Sequence, residues 1–462
     1  MLLSFGSRHS LEKVIVRRKK KSNTIHLVIL GYLAIISVGT FLLSLPVSQA
    51  QSLSFLDNFF VATSAICVTG LSTIDIGTSY SHFGHWVLIF LMQIGGLGIM
   101  CISTTLILFA GMRPSFLYES VLLQSFSQDG SASPSKILKA VLPFTFILEA
   151  FGVLIYFLNF REEGVYDRFF ASLFQSISSF CNVGFSLYPN SLMNFAEDPF
   201  VVIGTSVLVI AGGFGFLAIL DLRCLFNLKK RISLHTKLAS LMTIILLVVG
   251  MAFFFFIEYG NSIAAESIPQ KILSSFSFSF ISRTAGLNLV DFSTLSGPSV
   301  IFTIILMFIG ANPGSCGGGI KTTTAAVIVI FAVNNLIFGR NKTQIFNKTI
   351  PQDTVNKAVH IFIIGVLIII FASLVLLISE IGSAPYTSVP GEFLQILFEV
   401  TSAYATCGLS LGFTSQLSEF GKLVICMVMF IGRLGPLFLI SAVTLKDKDS
   451  GLWYSEENIM VG

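Results

Sequence analysis

Four glycines recur in the same local setting along this chain of 462 residues. Each lies ten residues after a phenylalanine and two residues before a serine or asparagine, and no offset changes between the copies. They are Gly70, Gly184, Gly286 and Gly408. Because phenylalanine fills 46 of the 462 positions, one chosen column would hold it four times by chance in about one case in ten thousand. The sequence therefore predicts a fourfold pseudo-repeat.

Composition places this repeat in a lipid bilayer. The chain is 54% hydrophobic and 11% charged, with a mean hydropathy of +0.85, as in integral membrane proteins. Apolar runs long enough to span a bilayer lie near 25–46, 84–110, 138–160, 198–220, 237–257, 297–336, 358–380 and 421–444. We therefore predict eight transmembrane spans in an all-α protein.

Each pair of runs brackets a shorter segment that ends at one of the four glycines. These segments lie near 54–67, 167–181, 269–283 and 391–405. At about 1.5 Å per residue they reach only part of the way across a bilayer, so each is expected to enter and leave on the same side. We predict four repeats of an outer helix, a re-entrant pore helix with its loop, and an inner helix around a central pore.

Domain boundaries and orientation follow from the same runs. The predicted parts are a basic N-terminus at 1–24, repeats at 25–111, 136–222, 236–336 and 357–444, and a C-terminus at 445–462. Of the 28 lysines and arginines, Arg161, Arg168, Lys271, Arg283 and Lys422 fall between outer and inner helices, and Lys321 and Arg433 fall inside spans. The remaining 21 mark the cytoplasmic side. We predict a multi-pass protein of the cell membrane with both termini in the cytoplasm.

The residues that lead up to each glycine form a candidate cation site. We call them the glycine stretches: Val68-Thr69-Gly70, Asn182-Val183-Gly184, Thr284-Ala285-Gly286 and Thr406-Cys407-Gly408. Irregular backbone at membrane depth is tolerated where it is buried in protein or lines a cavity. A ring of backbone carbonyls can replace the water shell of a cation, and the absence of charged side chains favours a weakly hydrated monovalent ion. We predict a potassium selectivity filter.

Two aspartates are candidates for an outer vestibule. Asp75 and Asp291 each lie five residues beyond their glycine. Carboxylates at a pore mouth would raise the local cation concentration, whereas solvated loop carboxylates would have no such role. Both interpretations remain open at this point.

A glycine-rich segment interrupts the apolar run of the third repeat. Residues 310–319 hold five glycines and a proline, which cannot continue a stable helix. We predict a movable gate across the pore, with a static packed kink as the alternative. The candidate gate residues are Gly310, Asn312, Gly314, Ser315, Gly317, Gly318 and Gly319.

Two cationic side chains in predicted spans complete the candidate gate. Arg433 in the last span is expected to face the cavity or a partner and to limit cation flux if it is unpaired, because an arginine at membrane depth is costly. Lys321 follows the glycine-rich segment directly. It is either part of the gate or a side chain that extends to the cytoplasmic interface.

These motifs resemble the Trk/Ktr/HKT superfamily of potassium transporters over nearly the whole chain. The match rests on the four glycine stretches, on the segment from Gly310 to Lys321, and on Arg433 within Ile431-Gly432-Arg433-Leu434-Gly435. The resemblance implies that the 310–319 segment is an intramembrane gate beneath the filter and that four filter glycines select potassium. One span before the first stretch is similar to the eight-span Ktr type of membrane subunit.

The resemblance also implies partners and ions. Members of the superfamily form homodimers with one pore in each protomer, and the Ktr type binds a cytosolic ring of RCK-type nucleotide-binding subunits. The basic cytoplasmic face suits such a ring or anionic membrane lipids, and no nucleic-acid partner is expected. Potassium is the expected transported ion, with sodium as a candidate stimulating ion and no covalently bound cofactor.

The sequence leaves two transport mechanisms open and does not favour an enzyme. The first mechanism is channel-like potassium uptake, and the alternative is an alternating-access symporter coupled to sodium or protons, with a midplane site in broken helices. Parallel repeats favour the first mechanism, since inverted repeats commonly underlie the second. An enzyme is not expected, because the chain holds no G-x-S-x-G nucleophile turn, no P-loop and no dinucleotide fingerprint that opens a soluble βαβ unit.

Overall fold

The computed structural model describes residues 28–98, 134–160, 167–222, 232–339, 342–382, 385, 389 and 391–435. The predicted termini at 1–24 and 445–462 lie outside the described residues. The same holds for most of the connections between the first, second and third repeats.

The described chain is built from helices and one small hairpin. Three helices are long and apolar enough to cross a membrane by length and composition, namely Val141–Asn159, Leu234–Glu258 and Gln352–Ile381. Shorter apolar helices are Val28–Leu43, Phe55–Cys67, His82–Leu97, Pro199–Gly213, Gly297–Phe308 and Thr322–Ile337. The strands Gln344–Ile345 and Lys348–Thr349 pair antiparallel across a two-residue turn.

Four times along the chain, a short helix lies between two other apolar helices. The short helices are Phe55–Cys67, Arg168–Phe180, Ile268–Ile281 and Glu392–Ala405. The helices before them, at the predicted outer positions, are Val28–Leu43, Pro134–Asn159, Leu234–Glu258 and Gln352–Leu376. The helices after them, at the predicted inner positions, are His82–Leu97, Pro199–Gly213, Gly297–Phe308 and Glu419–Leu434. We keep the names outer, short and inner helix for these positions.

The short helices have defined starts and a buried core side. Ser54 caps the first through the backbone N–H of Asp57 at 3.0 Å, and Ser267 forms a capping box with Gln270 in the third. With 13 or 14 residues each, these helices are roughly 20 Å long, less than a hydrocarbon core of about 30 Å. Among the aligned phenylalanines, Phe60, Phe174 and Phe398 are fully buried and Phe276 is partly buried. Packing therefore accounts for the repeated phenylalanine.

The second inner helix differs from the single run that the sequence predicts over 198–220. It consists of Pro199–Gly213 and Phe216–Leu222, with a break at residues 214 and 215. Gly215 has a φ of +88°, which ends the first part because an α-helix needs negative φ throughout. Backbone carbonyls near the break are thereby released from helical hydrogen bonds.

Candidate cation-binding site

The backbone of all four glycine stretches has one conformation. In each stretch φ is positive at the glycine and at the residue two positions before it. The non-glycine members are Val68 at 59°, Asn182 at 57°, Thr284 at 70° and Thr406 at 49°. Three of these are β-branched, for which positive φ is rare and costs on the order of 1–3 kcal/mol. The surrounding structure must therefore hold them in place.

Hydrogen bonds to the short helices hold this conformation. The N–H of Thr69 donates to the carbonyl of Ser64 at 2.8 Å, and the equivalent bond from Cys407 to Ser402 is also 2.8 Å. Val183 donates in the same way to Ser178 at 2.9 Å. These bonds fix the N–H side of the stretches on their short helices.

The four stretches meet in a closed ring. A Cβ atom built on each glycine would come too close to the backbone of the next stretch for a side chain to fit. The atoms nearest to these built Cβ positions are the Val183 carbonyl oxygen for Gly70, the Gly286 Cα at 2.7 Å for Gly184, the Cys407 carbonyl oxygen at 2.5 Å for Gly286, and the Thr69 carbonyl oxygen for Gly408. The structure thus brings together all four predicted filter stretches.

The ring offers oxygen ligands without charged side chains. Among the described residues, no hydrogen bond is donated to the carbonyl oxygens of Thr69, Val183, Ala285 or Cys407. Each short helix ends at the ring, and a helix C-terminus carries a partial negative charge. Dipoles of carbonyls and helix ends together can coordinate a cation whose water shell is weakly held.

The predicted gate segment lies directly against this ring. The N–H of Gly318 donates to the Thr406 hydroxyl at 2.8 Å, and a Cβ on Gly317 would clash with the Thr284 hydroxyl. The segment starts and ends at the same place, since Gly310 donates to the carbonyl of Ile320 at 2.9 Å. It therefore forms a loop between Gly297–Phe308 and Thr322–Ala332, the two halves of the interrupted helix.

The break in the second inner helix anchors the 310–319 segment. Asn312 donates from its N–H to the carbonyl of Gly213 at 3.1 Å, and Cys316 donates to the carbonyl of Gly212 at 3.0 Å. In return Phe216 donates to the carbonyl of Gly314 at 3.0 Å. Sequence reasoning missed this docking, for which the glycine cluster at 212–215 is the available signal.

Internal hydrogen bonds shape the rest of the segment. The Ser315 hydroxyl donates to the carbonyl of Asn312 at 2.6 Å, and the Thr322 hydroxyl donates to the Asn312 side-chain oxygen. Gly314 and Gly319 both have a φ of +69°, so the tight turns of the segment depend on them.

Lys321 and Arg433 both bind backbone carbonyls of this region. The Lys321 ammonium donates to the carbonyl of Gly317 at 2.6 Å. The Arg433 guanidinium donates to the carbonyls of Cys316 and Gly95. Neither cation forms an ion pair with a carboxylate of the described chain. The ammonium of Lys321 thus turns back onto the segment rather than extending away from it.

The two aspartates have local structural contacts. Asp75 accepts a hydrogen bond from the N–H of Gly77 at 3.0 Å and caps the helix Ile76–Ser79. Asp291 accepts from the N–H of Ser293 at 2.9 Å. Both residues are exposed, so an effect on nearby cations stays a prediction.

Two charged residues next to the ring were not recognised as site residues. Arg283, which precedes the third stretch, is 9% exposed and donates to the carbonyl of Thr243 at 3.3 Å. Glu399 in the fourth short helix is 1% exposed and accepts hydrogen bonds from Ser410 and Thr414. Their positions beside the third stretch and beside the aligned Phe398 are signals that could have identified them.

A helical fold with long apolar helices and a ring of available carbonyls is that of a membrane transport protein rather than an enzyme. The chain belongs to the TrkH family of cation transport proteins, whose family profile matches residues 17–450. This assignment confirms the superfamily resemblance on which the sequence prediction rests.

Relatives cover nearly the whole chain. The Ktr system potassium uptake protein B of Bacillus subtilis (strain 168) is 34% identical over 94% of this chain and 95% of its own. The protein of the same name from Vibrio alginolyticus is 34% identical, over 96% of each chain. The potassium/sodium uptake protein NtpJ of Enterococcus hirae is 32% identical over 96% of this chain and 99% of its own.

A solved structure has the same fold. The crystal structure of the potassium transporter TrkH from Vibrio parahaemolyticus superimposes with a TM-score of 0.72 at 18% identity. The match covers 92% of this chain and 85% of that one.

Proposed function

We propose that this chain carries potassium into the cell as a channel-like, ion-translocating subunit. The four glycine stretches form its selectivity filter, through which the ion passes in contact with backbone carbonyls. The observation that carries the proposal is the ring in which each glycine approaches the next stretch too closely for a side chain. The names of the relatives, which describe potassium uptake, support the choice of ion.

The filter chemistry follows from the ring. Carbonyl oxygens replace the water shell of a weakly hydrated ion, and the helix ends add partial negative charge. A side chain on any of the glycines would push two stretches apart and weaken this coordination. Asp75 and Asp291 in the outer loops raise the local cation concentration.

The 310–319 segment is the gate of this pathway. It contacts Thr284 and Thr406 at the base of the filter and is held by hydrogen bonds to the second inner helix. A second arrangement of the segment, in which these hydrogen bonds are broken and others form, would open the ion pathway, as in other switches that move one segment. Arg433 favours the closed arrangement because it binds the Cys316 carbonyl and places a positive charge below the filter.

The assembly and orientation belong to the same proposal. Eight spans place both termini in the cytoplasm of a cell-membrane protein, and two copies form a homodimer with one pore each. An RCK-type nucleotide-binding ring on the cytoplasmic side controls the gate. The description of two relatives as parts of a Ktr system supports a partner subunit. Anionic lipids contact the basic cytoplasmic face.

Flux into proteoliposomes that hold this chain alone tests the proposal. Potassium influx driven by a potassium gradient, without a sodium or proton gradient, is expected, and Gly286→Ser should reduce the preference for potassium over sodium. Influx that requires a sodium or proton gradient would instead favour the alternating-access symporter. This second mechanism is tested as well because the relative NtpJ is named a potassium/sodium uptake protein.

A further inference from the structure

The fourth short helix carries a buried carboxylate that the proposed filter and gate do not use. Glu399 is 1% exposed, and its two carboxylate oxygens accept hydrogen bonds from different hydroxyls. One bond comes from Ser410, two residues beyond Gly408, and the other comes from Thr414 at 3.0 Å. The two hydroxyl oxygens lie 3.1 Å apart, so both donors converge on one side chain. Glu399 thus joins the short helix to the chain that leaves the ring.

A glutamate stands at this column in only one of the four copies. The residue nine positions before the glycine is Val61, Gln175, Ser277 or Glu399. Within the described residues, the side chains of the first three form no hydrogen bond with the chain beyond their own glycine, although the Gln175 amide donates to Ser179 at 3.5 Å. Other columns tie the short helix to the chain beyond the glycine in two copies, since the Thr73 hydroxyl donates to Asp57 at 2.7 Å and the Ser178 hydroxyl donates to the Phe185 carbonyl at 2.6 Å. The fourth copy differs in making this tie through Glu399 and two hydroxyls.

The equivalent serine of the first copy makes a different hydrogen bond. Ser72 donates to the carbonyl of Ile74 at 2.6 Å and so stays within its own loop. Ser410 accepts from the N–H of Gly412 at 2.9 Å and donates across to Glu399. The loop that follows Gly408 is thereby held both by its own turn and by the short helix.

The surroundings of the Glu399 side chain contain hydrogen-bond donors but no cationic partner. No lysine or arginine of the described chain forms an ion pair with Glu399, so its hydrogen-bond donors alone compensate the buried group. The glycine of the same stretch is also held by Ser402, whose hydroxyl accepts from the N–H of Gly408 at 3.1 Å.

We infer that Glu399 is a positioning residue of the filter, which acts through Ser410 and Thr414 to fix the outer end of the fourth glycine stretch. It keeps the Cys407 carbonyl and Gly408 at the distances that close the ring with the third and first stretches. The inference rests on the proposed function of the ring and adds that ion preference depends on this support of the fourth stretch.

The test compares ion preference and stability in the same variants. Glu399→Gln keeps the shape but turns one acceptor into a donor that faces a hydroxyl. Ser410→Ala removes the donor from the loop side without changing the short helix. Each is expected to lower the potassium-over-sodium preference of flux in proteoliposomes by about fivefold or more, the effect of roughly 1 kcal/mol. The matched control is Ser415→Ala, because the exposed Ser415 hydroxyl does not contact Glu399.

Coupling between the variants separates positioning from general damage. If Glu399 acts through Ser410, the double variant should lose no more preference than the stronger single variant, because both changes break one interaction. A wild-type preference in Ser410→Ala and in folded Glu399→Gln would overturn the inference while leaving the proposed function intact. A wild-type chain without any preference would overturn the proposed function, and this inference with it. If Glu399→Gln does not fold, Ser410→Ala decides the question.

Discussion

The guanidinium of Arg433 donates a hydrogen bond to the carbonyl oxygen of Cys316, which ties the fourth inner helix to the 310–319 segment. A second bond from the same guanidinium to the carbonyl of Gly95 includes the first inner helix. Backbone carbonyls thus accept the bonds of a cation that forms no ion pair within the described chain. Because the bond to Cys316 depends on the position of the segment, it would change in the movement that the proposed gate requires.

Arg433→Ala is expected to increase potassium flux severalfold. The change removes both the bond that holds the segment and a positive charge below the ring, and either effect lowers the barrier to a cation. Arg433→Lys separates the two, since lysine keeps the charge but lacks the planar fork that reaches two carbonyls. Flux in proteoliposomes should rise in both variants. A rise in the alanine variant alone would show that charge, and not the tether, limits flux.

Deletion of residues 313–317 should raise flux and leave ion preference unchanged. The deletion removes the hydrogen bonds of Cys316 and Gly314 to the second inner helix together with the carbonyl bound by Arg433. Flux and potassium-over-sodium preference are measured on the same preparation. Unchanged flux would identify the segment as a packed kink, and a loss of preference would show that the deletion had disturbed the ring at Thr406.

Gly184→Ser and Gly286→Ser should lower the potassium preference about tenfold or more. In both variants the new Cβ meets backbone of the adjacent stretch at 2.5–2.7 Å, and backbone at the ring cannot move aside cheaply. Gly260→Ala is the control, because no atom lies within 4 Å of its Cβ position and its φ is not positive. Ion preference is measured as the ratio of potassium flux to sodium flux when both ions are present. Equal losses in the control and the two serine variants would indicate general misfolding.

Lys422→Met is expected to reduce stability by about 1–2 kcal/mol, between the values for exposed and buried ion pairs. Lys422 forms an ion pair of 2.7 Å with Asp57, and both side chains are largely buried. The pair joins the start of the fourth inner helix to the first short helix. Thermal unfolding in detergent measures the effect, with the exposed Lys357→Met as control. A melting temperature equal to that of the control would show that the pair contributes nothing.

The parts of the site that could be predicted from the sequence are those with a local cause. A glycine in a fixed column of the repeat predicts the positive φ at Gly70 and its counterparts. The glycine and proline content of residues 310–319 predicts the helix break there. Both effects act within a few residues of their cause. The family profile then confirmed what the repeated motifs indicated about the class of protein.

The parts that could not be predicted depend on contacts between distant positions. Arg433 and Gly95 are separated by 338 positions, and no pattern in either segment indicates the pair. Arg283 was counted among the residues of the outer side because of its place between two apolar runs, although it is buried and donates to the Thr243 carbonyl of the third outer helix. The break at Gly215 was hidden because Phe214 and the residues around it keep the run apolar.

The most direct test of the central claim is to locate a potassium analogue in the protein. Crystals grown with rubidium in place of potassium give an anomalous signal at each bound ion. The account predicts peaks on the axis of the ring, within coordination distance of the carbonyls of Val183 and Cys407 and their counterparts. The same peaks should be absent from crystals grown with sodium alone and weaker in rubidium crystals of the Gly286→Ser variant. Rubidium bound only outside the ring, with an ordered and empty ring, would contradict the account.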